Sequence, residues 1–323
     1  MTEGPGRACP VDYRYGARAL RAAPAIEADT LYVAGGLYGN TCALDALLDL
    51  VALEPGAKLV FNGDFNWFNV EASEYRRVNE AVLAHAAIRG NVESELAQPA
   101  KGAGCGCSYP KWVGDGEVER SNRIMEKLQA TAAREPGLTG RIGSLPMFAV
   151  ARVGETRIGI VHGDAESLAG WGFSQEVLST DEGRLAASAA FEAAQVRVIA
   201  SSHTCLPVLQ SVPTAKGEAV LANNGAAGMP NFRGTRHGIV TRISVRPPKA
   251  GALYGALLED ECVHVHAVAV RYDAQAWEER FLAQWPPGSD AWRSYFQRIC
   301  NGPDYSVRDA VRVSSHSAAA FAL

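Results

Sequence analysis

Apolar positions along the chain fall into two rhythms. Short runs rich in β-branched and aromatic residues, over 30–34, 58–62 and 87–89, each close on Gly, Asn or Asp, the pattern of buried strands. Between them, Leu44, Leu47, Leu48 and Val51 recur at helical spacing within 40–53, and a second helix is predicted over 72–83. This strand–helix–strand alternation predicts a layered α/β architecture. Further along, the spacing predicts a helix over 118–134, strands over 148–153 and 156–161, and an alanine-rich helix near 184–194. More strands are expected over 196–201, 219–222, 238–245 and 262–271, and Asp273 is placed to cap a helix over 273–282. Residues 1–28 read as an irregular lead-in, 29–300 as one domain without internal repeats, and 301–323 as a polar, poorly ordered tail. Within the domain, 98–115 reads as an insertion: its Gly, Pro and Lys content predicts an exposed, mobile loop near the strand ends.

Composition narrows the class. With 323 residues, 47% hydrophobic and 20% charged, the chain can bury a full core without staples. A net charge of −4 gives no footprint for nonspecific binding to nucleic acid or anionic membranes. No run approaches the length of a membrane span, and the first twenty residues lack the apolar segment of a secretory signal. Seven scattered cysteines, an odd number, read as reduced thiols in a cytoplasmic protein. Cys105 and Cys107 lack neighbouring partner ligands, so a structural zinc site is not expected there.

The chemistry lies in repeated placement. Asp64, Asn91, His162 and His203 each follow an apolar strand-like run and stand beside Gly or Ser. In an α/β sheet the loops at the carboxyl ends of strands share one edge, where ligands bind. One carboxylate, one amide and two imidazoles gathered there form an oxygen and nitrogen donor set suited to a divalent ion. Each residue alone is ordinary turn or core chemistry; four in order are not.

These same segments, across roughly residues 30–272, resemble the motifs of the calcineurin-like metallophosphoesterases. Gly36-Leu-Tyr38-Gly39-Asn40 is similar to the family's first motif, Gly-Asp-x-His-Gly-Asn. Asn62-Gly63-Asp64, Arg89-Gly90-Asn91-Val92-Glu93, Val161-His162-Gly163 and Ser202-His203-Thr204-Cys205 resemble the next four, and the segment 223–230 resembles the one after them. The resemblance implies a four-layer α/β/β/α sandwich with two metals at its edge. It also shows where this chain departs. Positions that bind one metal in the family are here Gly36, Tyr38 and Cys205, with Asp64 kept. Positions that bind the other metal are Asp64, Asn91, His162 and His203, all kept. The position of the family's leaving-group proton donor is Val92.

The expectation is therefore a phosphate mono- or diester hydrolase, with nucleotide-related esters among the candidate substrates, working with one divalent ion (Mn, Zn, Fe or Ni) on a small-molecule substrate. The alternative is a non-catalytic relative that keeps the fold and one ion for ligand binding or interaction. Several neighbours have two readings. Arg89 and the helix-start amides at Gly39 and Asn40 either donate to phosphate or serve the fold. Cys205 is either a thiolate ligand or a small buried thiol. Tyr38 is expected to fill the altered metal position with its hydroxyl on Asp64. Glu93 either orients His162 or His203 or sits in a helix's first turn. Trp67 and Phe68 either stack on a base or pack in the core. Asp164 and Glu166 read as solvated loop acids, and His264 and His266 as structural.

Overall fold

The computed structural model describes residues 4–248 and 252–314. Its strands are β1 (Ala25–Ala28), β2 (Thr30–Ala34), β3 (Lys58–Asn62), β4 (Ala86–Ile88), β5 (Phe148–Val153), β6 (Thr156–Val161) and β7 (Val198–Ser201). There follow β8 (Val208–Thr214), β9 (Gly217–Asn223), β10 (Gly238–Ser244), β11 (Ala252–Leu258), β12 (Val263–Val270) and β13 (Val311–Arg312). They form two mixed sheets, ordered β1-β5-β6-β7-β9-β8-β13 and β11-β12-β10-β2-β3-β4.

Alternation along each strand explains the layering. On β2, Leu31 and Val33 point into the core between the sheets, where they meet Val60, Ile158, Ile160, Val198 and Val220. Tyr32 and Ala34 point the other way, onto the helices Thr41–Ala52 and Ala72–Val82 and the aromatic cluster of Phe68, Trp277 and Phe281. The outer face of the seven-stranded sheet, with Val150, Val161 and Ile199, is covered by the helices Arg18–Ala22 and Asp181–Ala194. The result is the α/β/β/α sandwich.

Three expectations need correction. Residues 11–28 are not irregular: they hold a helical turn, a helix and β1, which pairs in parallel with β5 from Ala25 opposite Val150. The expected tail is structured as far as it is described; β13 pairs in parallel with β8, Val311 opposite Leu209, and residues 315–323 lie outside the described residues. The insertion 98–115 lacks regular structure, and its ends are exposed, but its centre at 103–107 is packed into the molecule. Cys105 and Cys107 are buried, and Trp171 donates its indole N–H to the Cys107 carbonyl at 2.9 Å. Apolar spacing alone did not show the helices Asn91–Ala97, Pro136–Gly143 and Asp290–Asn301 or the strands β8 and β11.

Candidate metal centre

The parallel pairs β3·β4 and β6·β7 end at the same edge of the sandwich. Asp64 follows β3, and Asn91 opens the helix Asn91–Ala97 after β4. His162 follows β6 and His203 follows β7. The sheets are tied beside this point by His162 Nδ1, which donates to the Asn62 carbonyl at 2.8 Å. Gly63 has to be glycine here: its φ is +95°, and a Cβ would come within 2.6 Å of both His162 Nδ1 and the Gly90 nitrogen.

All four expected residues are buried and their polar atoms converge. His162 Nε2 lies 3.1 Å from His203 Nδ1, 3.2 Å from Asn91 Oδ1 and 3.3 Å from Asp64 Oδ1. Donor atoms of Asp64, His162 and His203 all fall within 4.8 Å of one another. The hydrogens of these groups are committed elsewhere. Asn91 Nδ2 donates to the Cys105 carbonyl at 3.0 Å, which turns Oδ1 inward. The Nδ1–H of His162 is held by Asn62, and the Nε2–H of His203 by the Cys107 carbonyl at 3.0 Å. What remains inside is a carboxylate oxygen, an amide oxygen and two imidazole lone pairs, with no donor among them in the neutral tautomers. Ligands held ~2.1 Å from one ion at tetrahedral or right angles lie ~3.0–3.4 Å apart. The donor set therefore fits one divalent cation.

The electrostatics agree. Burial works to raise the Asp64 carboxyl, but the adjacent His162 outweighs it and holds the group below its usual range. Burial opposes the charged form of His162, and the Asp64 carboxylate more than offsets this, raising it. Burial, reinforced by His162, pushes His203 down to about 3. Positive charge is favoured at His162, beside the Asp64 carboxylate, and disfavoured at His203.

The altered positions close on each other. Tyr38 Oη lies 2.8 Å from Cys205 Sγ, so the tyrosine hydroxyl reaches Cys205 and not Asp64, which corrects the expectation. Burial raises both groups above their ordinary values, which keeps phenol and thiol protonated. The ring lies against Gly36, where a Cβ would stand 2.7 Å from two of its carbons. Tyr38, Asp64 and Cys205 all have φ between 54° and 62°, a left-handed conformation uncommon for non-glycine residues and concentrated here at one site.

Other neighbours serve the fold. Arg89 donates to the carbonyls of Gly143 and Leu145 at 2.9 and 2.6 Å, leaving phosphate contact unsupported. Asn40 caps the helix Thr41–Ala52 by accepting from the Ala43 N–H and donates to the Gly228 carbonyl. Glu93 touches neither histidine. Its carboxylate accepts the N–H groups of Asp64, Phe65 and Gly90 at 2.8, 3.1 and 2.9 Å, fixing the Asp64 loop, and burial pushes it up to about 7. Asp164 is not solvated: it takes the N–H groups of Glu166, Ser167 and Gly172 and shapes the loop after His162. Phe68 is core, while Trp67 borders a cavity.

That cavity, about 210 Å³, opens directly onto Asp64 and His203. Tyr109, Trp171 and Tyr295 line it with Tyr38 and Trp67, and sequence spacing did not single out the first three. Their signal was compositional: Tyr109 and Trp112 crowd the glycine-rich insertion, and Trp171 stands between Gly170 and Gly172.

No sequence-family model and no curated protein matches the chain. Solved structures do match. A hypothetical protein from Pyrococcus horikoshii OT3 superposes with a TM-score of 0.58 at 16% identity, over 87% of this chain and 100% of that one. A metallophosphoesterase from Sphaerobacter thermophilus superposes with a TM-score of 0.52, again at 16% identity, over 85% of this chain and 100% of its own. The fold is that of the metallophosphoesterases. On this metallophosphoesterase sandwich, the four converging residues occupy the sheet-edge loops, and the Tyr38–Cys205 pair sits beside them.

Proposed function

We propose that the protein is a metal-dependent phosphoesterase, acting on a phosphate mono- or diester with one divalent ion held by Asp64, Asn91, His162 and His203. The observation that supports this most directly is the convergence of four acceptor atoms whose hydrogens all point elsewhere. A bound Mn, Zn, Fe or Ni ion would supply Lewis-acid activation of water and of a phosphoryl oxygen. The chain's own groups do the rest. Backbone carbonyls of Asn62 and Cys107 fix the two histidine tautomers, and Glu93 fixes the loop that presents Asp64. The aromatic cavity excludes water from one side of the reacting ester. Hydrolysis forms a bond from water oxygen to phosphorus and breaks the ester P–O bond, and the water's proton balances the departing alkoxide. Val92 offers no proton at the leaving-group position, so esters with acidic leaving groups are the expected substrates. The Tyr38–Cys205 contact supports a count of one ion rather than two. It also favours a second reading, a non-catalytic relative that binds a ligand through one ion.

No helix among the described residues is long and apolar enough to cross a membrane. The seven unpaired cysteines favour a reducing compartment, which we take to be the cytoplasm.

Plasma mass spectrometry after reconstitution should count one ion per chain. Aryl phosphate mono- and diesters should be hydrolysed with at least one of the four metals. Asp64→Asn, which keeps the side-chain shape and tolerates the left-handed backbone, should lose ion and hydrolysis together. Cys205→Ala should keep the count at one. Two tight ions in the unaltered chain, or retained binding in Asp64→Asn, would overturn the proposal. Bound metal with no turnover across the panel would select the second reading.

A further inference from the structure

The cavity beside the metal centre has an unusual makeup for a phosphate-handling site. Its walls are the rings of Trp67, Tyr109, Trp171 and Tyr295, with Tyr38 at the floor. Among the described residues its charged lining residues are acidic, Asp64 and Glu117, and the Arg298 guanidinium stands behind it on the Cys205 carbonyl at 2.7 Å. Glu117 is paired with Arg120 at 3.0 Å, whose guanidinium also donates to Ser294 at 2.7 Å.

Three of the five rings have their polar atoms engaged, while the buried Trp67 indole N–H has no hydrogen-bond partner. Tyr38 bonds Cys205, Tyr109 pairs with Ser121 at 3.1 Å, and Trp171 donates to the Cys107 carbonyl at 2.9 Å. What these rings leave for a ligand is aromatic carbon. A nucleobase would need several hydrogen-bond partners along its edge, and the rings offer little beyond the Trp67 N–H. A quaternary ammonium needs none: it is held by ring faces. At about 210 Å³ the cavity is small enough for a trimethylammonium group to contact several walls at once.

We propose that this cavity is an aromatic cage for a quaternary ammonium group, making the substrate a phosphate ester that carries choline or a similar trimethylammonium alcohol. The proposal rests on the phosphoesterase reading for the ester and on the cavity alone for the cation. Trp112, exposed at 54%, stands edge-on to Trp171, one of the lining rings.

The test separates the two parts. Calorimetric titration of the full chain, with and without Mn²⁺, uses choline, ethanolamine and the neutral isostere 3,3-dimethylbutan-1-ol, and separately adenosine. Choline should bind saturably in both conditions, at least ten-fold tighter than either comparison. Trp171→Leu should weaken choline at least five-fold, while Trp171→Phe, which keeps a ring, should retain most of the binding. In the Mn²⁺-loaded chain, p-nitrophenylphosphorylcholine should show at least ten-fold higher kcat/KM than p-nitrophenyl 3,3-dimethylbutyl phosphate. Equal binding of choline and the isostere, no saturable choline binding, or tighter binding of adenosine would overturn the cage. Hydrolysis of simple aryl esters without choline binding would overturn the cage and leave the phosphoesterase reading standing. Choline binding with no ester hydrolysed would support the cage and overturn the phosphoesterase reading.

Discussion

Gly36 and Tyr38 are a matched pair, and a double-mutant cycle measures the match. An aspartate at position 36 places its Cβ 2.7 Å from two carbons of the Tyr38 ring and 2.8 Å from its hydroxyl oxygen. Ordinary carbon contacts are ~3.5–4.0 Å, so the ring would have to retreat by roughly 1 Å. It has little room to do so. Tyr38 is buried, stands beside Phe68 with ring centroids 6.0 Å apart, and is tethered to Cys205. Overpacking of this kind costs ~1–3 kcal/mol. The positive φ at position 36 adds ~1 kcal/mol for a residue with a Cβ, so Gly36→Asp should lose about 2–4 kcal/mol in urea unfolding. Tyr38→His removes the obstructing ring and loses the sulfur contact. In the background of Tyr38→His, Gly36→Asp should cost ~1–3 kcal/mol less than it does alone, a coupling typical of residues in direct contact. Additive effects, within ~0.5 kcal/mol, would refute the steric account and leave the two changes unrelated.

Other outcomes follow from the same geometry. Adding Cys205→His to Gly36→Asp and Tyr38→His should raise the metal count from one to two by plasma mass spectrometry. Glu93→Ala strips three buried N–H groups of their acceptor and should cost ~3 kcal/mol or more, read as a lower urea midpoint. Arg242, 2% exposed, is held in a fork by Glu54 at 2.7 and 2.8 Å, so Glu54→Ala should destabilise by ~3–5 kcal/mol, whereas an apolar replacement of both should be close to neutral. His266 is buried and pushed down to about 4 by burial and by His264, so the unfolded chain binds the proton first as pH falls. Its contribution is intact above the unfolded value of about 6.5, is lost progressively between there and about 4, and amounts to ~2–3 kcal/mol. An unchanged urea midpoint between pH 7 and pH 4.5, compared with His266→Phe, would contradict this.

The elements that position the site were legible because their signals are local. β3, β4, β6 and β7 are short apolar runs, and a polar residue after each one marks the sheet edge without knowledge of the partner strand. Asp64, Asn91, His162 and His203 could therefore be named together. Roles that depend on contacts between distant segments could not. Glu93 sits two residues from Asn91 yet serves the backbone after β3, and Arg89 spends its guanidinium on carbonyls more than fifty residues away. The insertion 98–115 looked exposed from its Gly, Pro and Lys content, but its carbonyls at Cys105 and Cys107 hold Asn91 and His203. Backbone carbonyls carry no residue identity, so sequence gave no sign of them. Tyr295 reaches the cavity from the helix Asp290–Asn301, which spacing alone had not revealed.

Asp64 and Asn91 hang from the six-stranded sheet, and His162 and His203 from the seven-stranded one. The proposed ion would bridge two halves that are separate until the sandwich closes, with Asn62 and His162 a hundred residues apart in the chain. Such an ion is a clasp fastened after closure. It lowers the free energy of the closed chain by RT ln(1 + [M]/Kd) and does little for chains not yet closed. Its mark on the kinetics is one-sided: with rising metal concentration the unfolding arm of a chevron slows, and the refolding arm stays where it was.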